Sequence, residues 1–228
     1  DLVEFISGKY GEIRTIVKNV NSKDQNVILG NKNIVLFGDG YIYDELFGFK
    51  FKISPMSFYQ VNPTQTEKLY ATAIEGAKLN GDETIFDLYC GIGTIGICAS
   101  KKIKKLYGIE TIPQAIEDAK RNAKENGIEN AEFFVGDVEK MLPEFIEKNK
   151  VFADVIFIDP PRKGCDKVAL DTILKVSPKK VVYVSCNPAT LARDLKVLSE
   201  RYEIGEVTPV DMFPFTGHVE SICVMERK

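Results

Sequence analysis

The sequence has no long apolar run. Its longest uninterrupted apolar stretches, such as residues 155–158, are far shorter than the roughly 20 residues that a membrane-spanning helix needs. The chain also begins without an initiator Met and without the basic-then-apolar pattern of a signal peptide. We therefore expect no membrane partner, and we interpret the chain as a fragment of a longer protein with residues missing upstream.

Cysteine pairs and an excess of basic residues are also lacking. The five cysteines, an odd number, include no C-x-x-C pair, which argues against a disulfide framework and against a zinc site. Lys and Arg number 30 against 33 Asp and Glu, and this balance counts against bulk electrostatic capture of nucleic acid. We expect a protein of the reducing cytoplasm that holds no metal.

The remaining composition is that of an ordinary globular protein. Of 228 residues, 44% are hydrophobic and 28% charged, and no repeats or low-complexity segments occur. Up to residue 57, short β-favouring runs at 13–17, 27–29, 34–37 and 41–43 are separated by Asn, Asp and Gly. These runs predict a small antiparallel sheet, which we take as a separate unit over residues 1–57.

From residue 58 onward the pattern changes to one of alternating helices and strands. A helix is predicted over 64–79, and a parallel sheet sandwiched by helices is predicted for the segment that follows. The predicted strands are 84–89, 105–109, 131–135, 154–158 and 180–185, and the predicted helices are one ending near 100, 113–126, one starting at 138, 168–176 and 189–202. Two further strand-like runs, 204–210 and 219–225, end the chain and break the alternation.

A glycine-rich loop follows the first strand of this alternation. Its sequence matches G-x-G-x-x-G from Gly91 through Gly93 to Gly96, and Glu110 ends the next strand, where an acidic group would meet a ribose hydroxyl. Taken alone, the loop fits a dinucleotide as well as another nucleoside. Asp87, four residues before Gly91, makes the pattern resemble the first motif of S-adenosylmethionine (SAM) methyltransferases.

Two more strands are followed by side chains that can take part in a chemical reaction. Asp159 is followed by two prolines and Arg162, and the prolines hold its carboxylate rigidly at the strand end, facing the cofactor or the reacting base. Cys186 follows the next strand and precedes a helix, whose N-terminus is expected to favour the thiolate. A thiolate is useful beside SAM because its addition to carbon 6 of uracil makes carbon 5 nucleophilic.

Together these motifs resemble the RNA uracil-C5 (5-methyluridine) methyltransferases, which modify 23S rRNA or the tRNA T-loop. The resemblance covers the chain from about residue 50 to its end. Six segments carry it in order: F-Y-Q-V-N-P at 58–63, D-L-Y-C-G-I-G at 87–93, G-I-E at 108–110, D-P-P-R at 159–162, S-C-N-P at 185–188 and H-V-E-S at 218–221.

The resemblance implies a fold, a reaction and a set of site residues. The fold is a Rossmann-like α/β domain over residues 58–228, with a mostly parallel seven-stranded sheet whose last strand is antiparallel, preceded by part of a central β-rich domain on the RNA side. Cys186 is implied as the nucleophile and Glu220 as the base that removes the proton from carbon 5. The cofactor contacts implied for SAM come from Gln60, Tyr89, Glu110 and Asp159, with Asp87, Gly91 and Gly93 in the first motif.

The sequence leaves several alternatives open. His218, the only histidine, rivals Glu220 as the base, because alternation along a strand places both on one face. The family's N-terminal oligonucleotide-binding barrel and the iron–sulfur cysteines of some members are absent from this sequence. We expect a monomer acting on rRNA or tRNA. A nicotinamide oxidoreductase would explain only the glycine loop with Glu110, and an inert RNA-binding module only the β-rich start.

Overall fold

The computed structural model describes residues 1–22, 29–30 and 32–228. Its amino-terminal part contains one helix and two β-hairpins. In chain order these elements are α1 (Leu2–Lys9), β1 (Thr15–Val20), β2 (Lys32–Gly38), β3 (Ile42–Leu46) and β4 (Phe49–Ile53). No helix in the described part of the chain is both long and apolar enough to cross a membrane.

The prediction of one small antiparallel sheet at the start of the chain is wrong in its pairing. Among the described residues, β1 pairs only with β2 and β3 only with β4, in two separate hairpins. The sequence patterns also missed α1, which an Asp1–Glu4 capping box starts, and β4. Residues 27 and 28 of the predicted run 27–29 lie outside the described residues.

The rest of the chain alternates between helices and strands as predicted. The elements are α2 (Pro63–Ala77), β5 (Thr84–Leu88), α3 (Thr94–Ala99), β6 (Lys105–Glu110), α4 (Pro113–Glu125), β7 (Ala131–Val135), α5 (Val138–Asn149), β8 (Val155–Ile158), α6 (Lys167–Val176), β9 (Lys180–Ser185), α7 (Pro188–Leu198), β10 (Tyr202–Val210) and β11 (Glu220–Arg227).

Seven strands form one sheet in the order β10-β11-β9-β8-β5-β6-β7. The four pairings among β5 to β9 are parallel, whereas β11 is antiparallel to both of its neighbours. This arrangement confirms the predicted fold class. Side chains alternate across the sheet, so that Ile85 and Phe157 join a core with α2, α3 and α4, and Phe86 and Ile156 join a core with α5, α6 and α7.

The helix predicted over 189–202 is four residues too long. It ends at Leu198, and Tyr202 is the first residue of β10, with a buried ring and a hydroxyl that donates a 3.0 Å hydrogen bond to the Pro178 carbonyl. Tertiary burial of Tyr202, which no local pattern reveals, therefore decides where the helix stops.

The hairpin of β3 and β4 packs against helices of the seven-stranded sheet. Phe51 is buried in the same core as α2, α3 and α4, and two asparagines of α4 bind the β4 backbone. Asn122 Oδ1 accepts from the Lys52 amide at 2.8 Å, and Asn126 Oδ1 accepts from the Lys50 amide at 2.9 Å. The hairpin therefore shares a hydrophobic core with the part of the chain after residue 57. The division into two domains near residue 57 stays a prediction.

The topology brings the predicted site to one edge of the sheet. β5, β6, β8 and β9 run parallel, so the residues that follow them meet at their carboxyl ends. β11 runs the opposite way, with Ser221 opposite Ser185, so its first residue, Glu220, lies at that same edge.

Candidate active site

The glycine loop after β5 is built from left-handed backbone. Tyr89 has φ +61°, Gly91 φ +55° and Gly93 φ +82°, which a side chain tolerates poorly. A Cβ on Gly93 would lie 2.9 Å from the Phe133 ring, whereas nothing lies within 4 Å of the place a Cβ on Gly91 would take. The loop is therefore packed against the Phe133 ring at Gly93 and has open space beside it at Gly91.

Asp87 lies at the base of this loop with its side chain buried. Its Oδ2 accepts a 2.9 Å hydrogen bond from the Gly96 amide in α3. Its Oδ1 has no hydrogen-bond partner among the described residues. Burial raises the pKa of this carboxyl to about 7, an effect that the Gly96 hydrogen bond opposes and the nearby Glu110 reinforces. The site thus contains a buried carboxylate oxygen that no described residue satisfies.

Glu110 at the end of β6 is oriented by two backbone amides. Oε2 accepts from Gly91 at 3.2 Å and Oε1 accepts from Ile112 at 2.9 Å. The first of these bonds ties the carboxylate directly to the glycine loop, as expected for an acidic group at a nucleoside site.

Tyr89 joins the loop to α5. Its hydroxyl donates a 2.8 Å hydrogen bond to Oε1 of Glu139 in the first turn of that helix. Burial, followed by the neighbouring Asp137, raises the pKa of the Glu139 carboxyl. The sequence reasoning missed Glu139, and only its place at a helix start after β7 hinted at a role.

The segment that carries Gln60 is anchored at both ends. Upstream, the hydroxyls of Ser54 and Ser57 both donate to Oδ2 of the buried Asp118, at 2.6 and 2.8 Å. Downstream, Asn62 caps α2 and donates a 3.1 Å hydrogen bond to the Met212 carbonyl. Gln60 itself is only 5% exposed.

Cys186, Asp159 and Glu220 form an electrostatic cluster with Arg162. The Cys186 side chain is half-buried, while the other four cysteines are buried. Burial and then the Glu220 and Asp159 carboxylates raise the pKa of the Cys186 thiol, and Arg162 lowers it. Burial and the two carboxylates therefore disfavour the thiolate, and the favourable effect expected of the α7 N-terminus stays a prediction.

The carboxyls of this cluster are shifted in the same direction. Burial, then Glu220 and Asp87, raise the pKa of Asp159 well above its usual range. Burial raises the pKa of Glu220, and Arg162 opposes the shift. The sequence patterns assign no role of its own to Arg162. Its carbonyl accepts from Asn187 and Thr190 at 3.2 and 3.3 Å, which ties its loop to the start of α7.

The structure separates His218 from Glu220. β11 begins at Glu220, so His218 precedes the strand and the strand alternation does not apply to it. The His218 side chain is exposed and lies edge-on to Phe213, at 6.4 Å between ring centroids, whereas Glu220 is only 4% exposed. The prediction that both share one strand face is wrong, because the chain is irregular before Glu220.

No group of three or more His, Cys, Asp or Glu side chains in the described ranges has the arrangement to hold a metal ion. The groups that the described residues bring to the site are a glycine loop with the carboxylates of Asp87 and Glu110, and Cys186 with the carboxylates of Asp159 and Glu220.

Comparison with known sequences decides the family. The sequence model of the family described as tRNA (Uracil-5-)-methyltransferase matches residues 20–228. The chain belongs to this family. The resemblance drawn from the six motifs is thereby confirmed.

Curated proteins named as RNA methyltransferases are similar over the whole chain or nearly so. A protein of Bacillus cereus named "Uncharacterized RNA methyltransferase" is 56% identical over 227 residues, which is 99% of this chain and 49% of that protein. A protein of the same description from Clostridium acetobutylicum is 54% identical over 100% of this chain and 49% of its own length. The chain spans about half the length of these relatives.

Solved structures agree with the fold. The tRNA (uracil-54, C5)-methyltransferase of Pyrococcus abyssi, in complex with S-adenosyl-L-homocysteine, is 32% identical with a TM-score of 0.78, covering 96% of this chain and 52% of that one. Trm5b from the same organism is 17% identical with a TM-score of 0.65 over 97% of this chain and 66% of its own, a likeness of fold alone.

Proposed function

We propose that this chain carries the catalytic centre of an enzyme that transfers a methyl group from SAM to carbon 5 of a uridine in RNA. The observation that carries the proposal is the convergence of Cys186, Asp159 and Glu220 at the sheet edge that also holds Asp87. Family membership and the S-adenosyl-L-homocysteine bound to the relative from Pyrococcus abyssi support it.

The residues present fit SAM. The free Oδ1 of Asp87 offers a carboxylate oxygen to a cationic group, and the open space before Gly91 leaves room for a ligand against the loop backbone. The Glu110 carboxylate, which accepts from the amides of Gly91 and Ile112, retains lone pairs that can accept hydrogen bonds from hydroxyl groups. We assign the binding of SAM to seven residues: Gln60, Asp87, Tyr89, Gly91, Gly93, Glu110 and Asp159.

Cys186 acts as the nucleophile in this proposal. Its thiol must first lose a proton to a base, and Asp159 is one of the carboxylates that interact electrostatically with it. The thiolate adds to carbon 6 of uracil, and the electron pair of the 5,6 double bond makes carbon 5 nucleophilic. When bound, SAM supplies the electrophilic methyl group that carbon 5 accepts.

Glu220 completes the cycle. After methylation carbon 5 still carries its proton, and a base must take that proton while the bond between Cys186 and carbon 6 breaks. A carboxylate whose pKa is raised by burial accepts a proton more readily than an exposed one, and Glu220 faces the same groups as Cys186. The exposed His218 lacks this position.

The RNA is the remaining partner. The proposal leaves both rRNA and tRNA as substrates, because the relatives are named for RNA in general and only the Pyrococcus abyssi enzyme for tRNA. We further propose that the chain acts in the cytoplasm, for which the five free thiols are supporting evidence, and that it acts as a monomer.

Two measurements test the function. Titration calorimetry should detect binding of S-adenosyl-L-homocysteine and none of NAD, and the reverse result would favour an oxidoreductase. Transcripts of tRNA and of large-subunit rRNA containing 5-fluorouridine should then be incubated with SAM and the chain. Because fluorine cannot leave as a proton does, a denaturant-resistant adduct should form with the true substrate.

Two cysteine variants, one at the proposed nucleophile and one as its matched control, test which residue forms this adduct with 5-fluorouridine RNA. Cys186→Ser should form no adduct, while Cys223→Ser, at a buried cysteine of β11, should form it as the wild type does. An adduct that persists in Cys186→Ser would contradict the assignment of the nucleophile.

A further inference from the structure

The connection between β10 and β11 presents an unusual aromatic residue. Phe215 has φ +67°, a left-handed backbone that is unfavourable for a bulky side chain. Its relative exposure is 108%, the highest of the exposed large hydrophobic side chains in the described part of the chain. Neither feature serves packing, and strained backbone concentrates at functional sites.

The connection is held in place by its neighbours. Met212, near its start, is buried. Its amide donates a 3.0 Å hydrogen bond to the Val210 carbonyl, and its carbonyl accepts a 3.1 Å hydrogen bond from the Asn62 side chain. Past the tip, the Thr216 hydroxyl donates to the Phe213 carbonyl at 2.7 Å and accepts from the His218 amide at 3.2 Å. The turn is therefore organised around a side chain that points away from the protein.

Its position is next to the reacting groups. β10 ends and β11 begins at the edge where β9 ends, so the tip with Phe215 lies at the same edge as Cys186 and Glu220. The segment before α2 is hydrogen-bonded to this turn through Asn62, and in that segment the Phe58 side chain is 71% exposed. Two exposed aromatic rings, Phe215 and Phe58, thus belong to segments that this hydrogen bond joins next to the mouth of the site.

We propose that Phe215 stacks on the RNA base next to the target uridine. This inference rests on the proposed function. Glu220 is buried, so a uracil can reach it only after leaving its own stack, which leaves a neighbouring base without a stacking partner. A planar, exposed ring at the mouth can replace that partner for any base.

Charge favours stacking over phosphate binding at this place. The connection at 211–219 contains no Lys or Arg and one acidic residue, Asp211, and the whole chain has a net charge of −3. Phosphates are attracted to Lys and Arg, so an uncharged ring in this turn is suited to a base face.

The chain offers a clean test because it contains no tryptophan. Phe215→Trp places a single indole at the tip of the turn. The matched control is Phe152→Trp, at a residue that is 85% exposed just before β8, at the opposite edge of the sheet. The RNA probe is a hairpin with an all-uridine loop, added in the presence of S-adenosyl-L-homocysteine, and the readout is quenching of the indole by a stacked base.

We expect the hairpin to quench the fluorescence of Phe215→Trp and to leave that of Phe152→Trp unchanged. Phe215→Ala should bind the labelled hairpin about 10-fold more weakly and Phe215→Tyr within about 2-fold of wild type, the loss expected for one base–aromatic stack. Affinity for S-adenosyl-L-homocysteine should be equal in all variants.

Other outcomes would overturn the inference. Unquenched fluorescence of Phe215→Trp at saturating RNA, or wild-type RNA affinity in Phe215→Ala, would exclude stacking and leave the proposed methyl transfer intact. Self-association of the wild type that Phe215→Ala abolishes, with RNA affinity unchanged, would assign the ring to a protein contact instead. If the wild type bound S-adenosyl-L-homocysteine but neither bound nor methylated RNA, the proposed function itself would fail.

Discussion

The Asp87 carboxylate accepts a 2.9 Å hydrogen bond from the Gly96 amide, and this bond joins the end of β5 to α3 behind the glycine loop. A Cβ on Gly96 would lie 2.9 Å from that carboxylate oxygen, so only glycine permits the approach. The second carboxylate oxygen is buried without a hydrogen-bond partner among the described residues. Asp87 is therefore fixed in position while its charge is poorly solvated, which links stability to ligand binding.

Asp87→Asn should change how stability depends on pH. Burial raises the Asp87 pKa to about 7, so the folded state holds this proton more tightly than the unfolded chain does. This contribution to stability is complete below about pH 4 and is lost as the pH rises through about 7. Relative to wild type, the variant should gain about 2.6 kcal/mol between about pH 5 and about pH 8, measured by urea unfolding.

A ligand titration completes the Asp87 experiment. The same variant should bind S-adenosyl-L-homocysteine at least about 10-fold more weakly, a loss of about 1.4 kcal/mol. Equal affinity of the two proteins would show that Oδ1 meets no group of the ligand.

Alkylation should report the electrostatics around Cys186. Because burial, Glu220 and Asp159 raise its pKa, iodoacetamide should react slowly near neutral pH and faster as the pH rises. Glu220→Gln should shift this profile to lower pH and Arg162→Gln to higher pH. Mass spectrometry of the labelled peptide is the measurement, and the four buried cysteines should react only on unfolding. An unshifted profile in both variants would contradict the cluster.

Glu220→Gln and His218→Gln should differ in what they accumulate. If Glu220 removes the carbon-5 proton, Glu220→Gln still allows addition and methylation but stalls elimination, so a methylated covalent adduct with RNA should build up. His218→Gln should turn over without such an adduct, because its side chain is exposed and outside β11. Denaturing gels with labelled RNA separate the two results, and accumulation in His218→Gln alone would reverse the assignment.

Asn122→Ala should destabilise the chain more than Asn126→Ala. Both asparagines bind the backbone of β4, but Asn122 is buried and also donates a 3.4 Å hydrogen bond to the carbonyl of Ile92, which lies within the glycine loop. Removing it leaves buried backbone groups unpaired, at about 2–3 kcal/mol, whereas the exposed pair at Asn126 should cost about 1 kcal/mol. Urea unfolding measures both, and equal losses would show that the hairpin is not held through the buried contact.

Local patterns were sufficient where one element decides its own limits. The strands predicted at 131–135 and 180–185 have those bounds in the structure, as β7 and β9. Each is a short run of β-favouring residues between turns, and its conformation depends on neighbours in sequence. The glycine loop, the two prolines after Asp159 and the cysteine at the end of β9 were likewise identified because their positions relative to a strand end can be counted.

The sequence by itself thus determined the alternation of helices and strands, and with it which residues follow the strand ends. Only the tertiary structure decided that Tyr202 leaves α7 for β10, that β3 and β4 pack on α4, and that Glu220 is buried while His218 is exposed. It also placed the Glu220 and Asp159 carboxylates where they raise the pKa of the Cys186 thiol. The reason is physical: propensity and periodicity act over a few neighbouring residues, whereas burial and electrostatic potential are set by groups far apart in the chain that folding brings together.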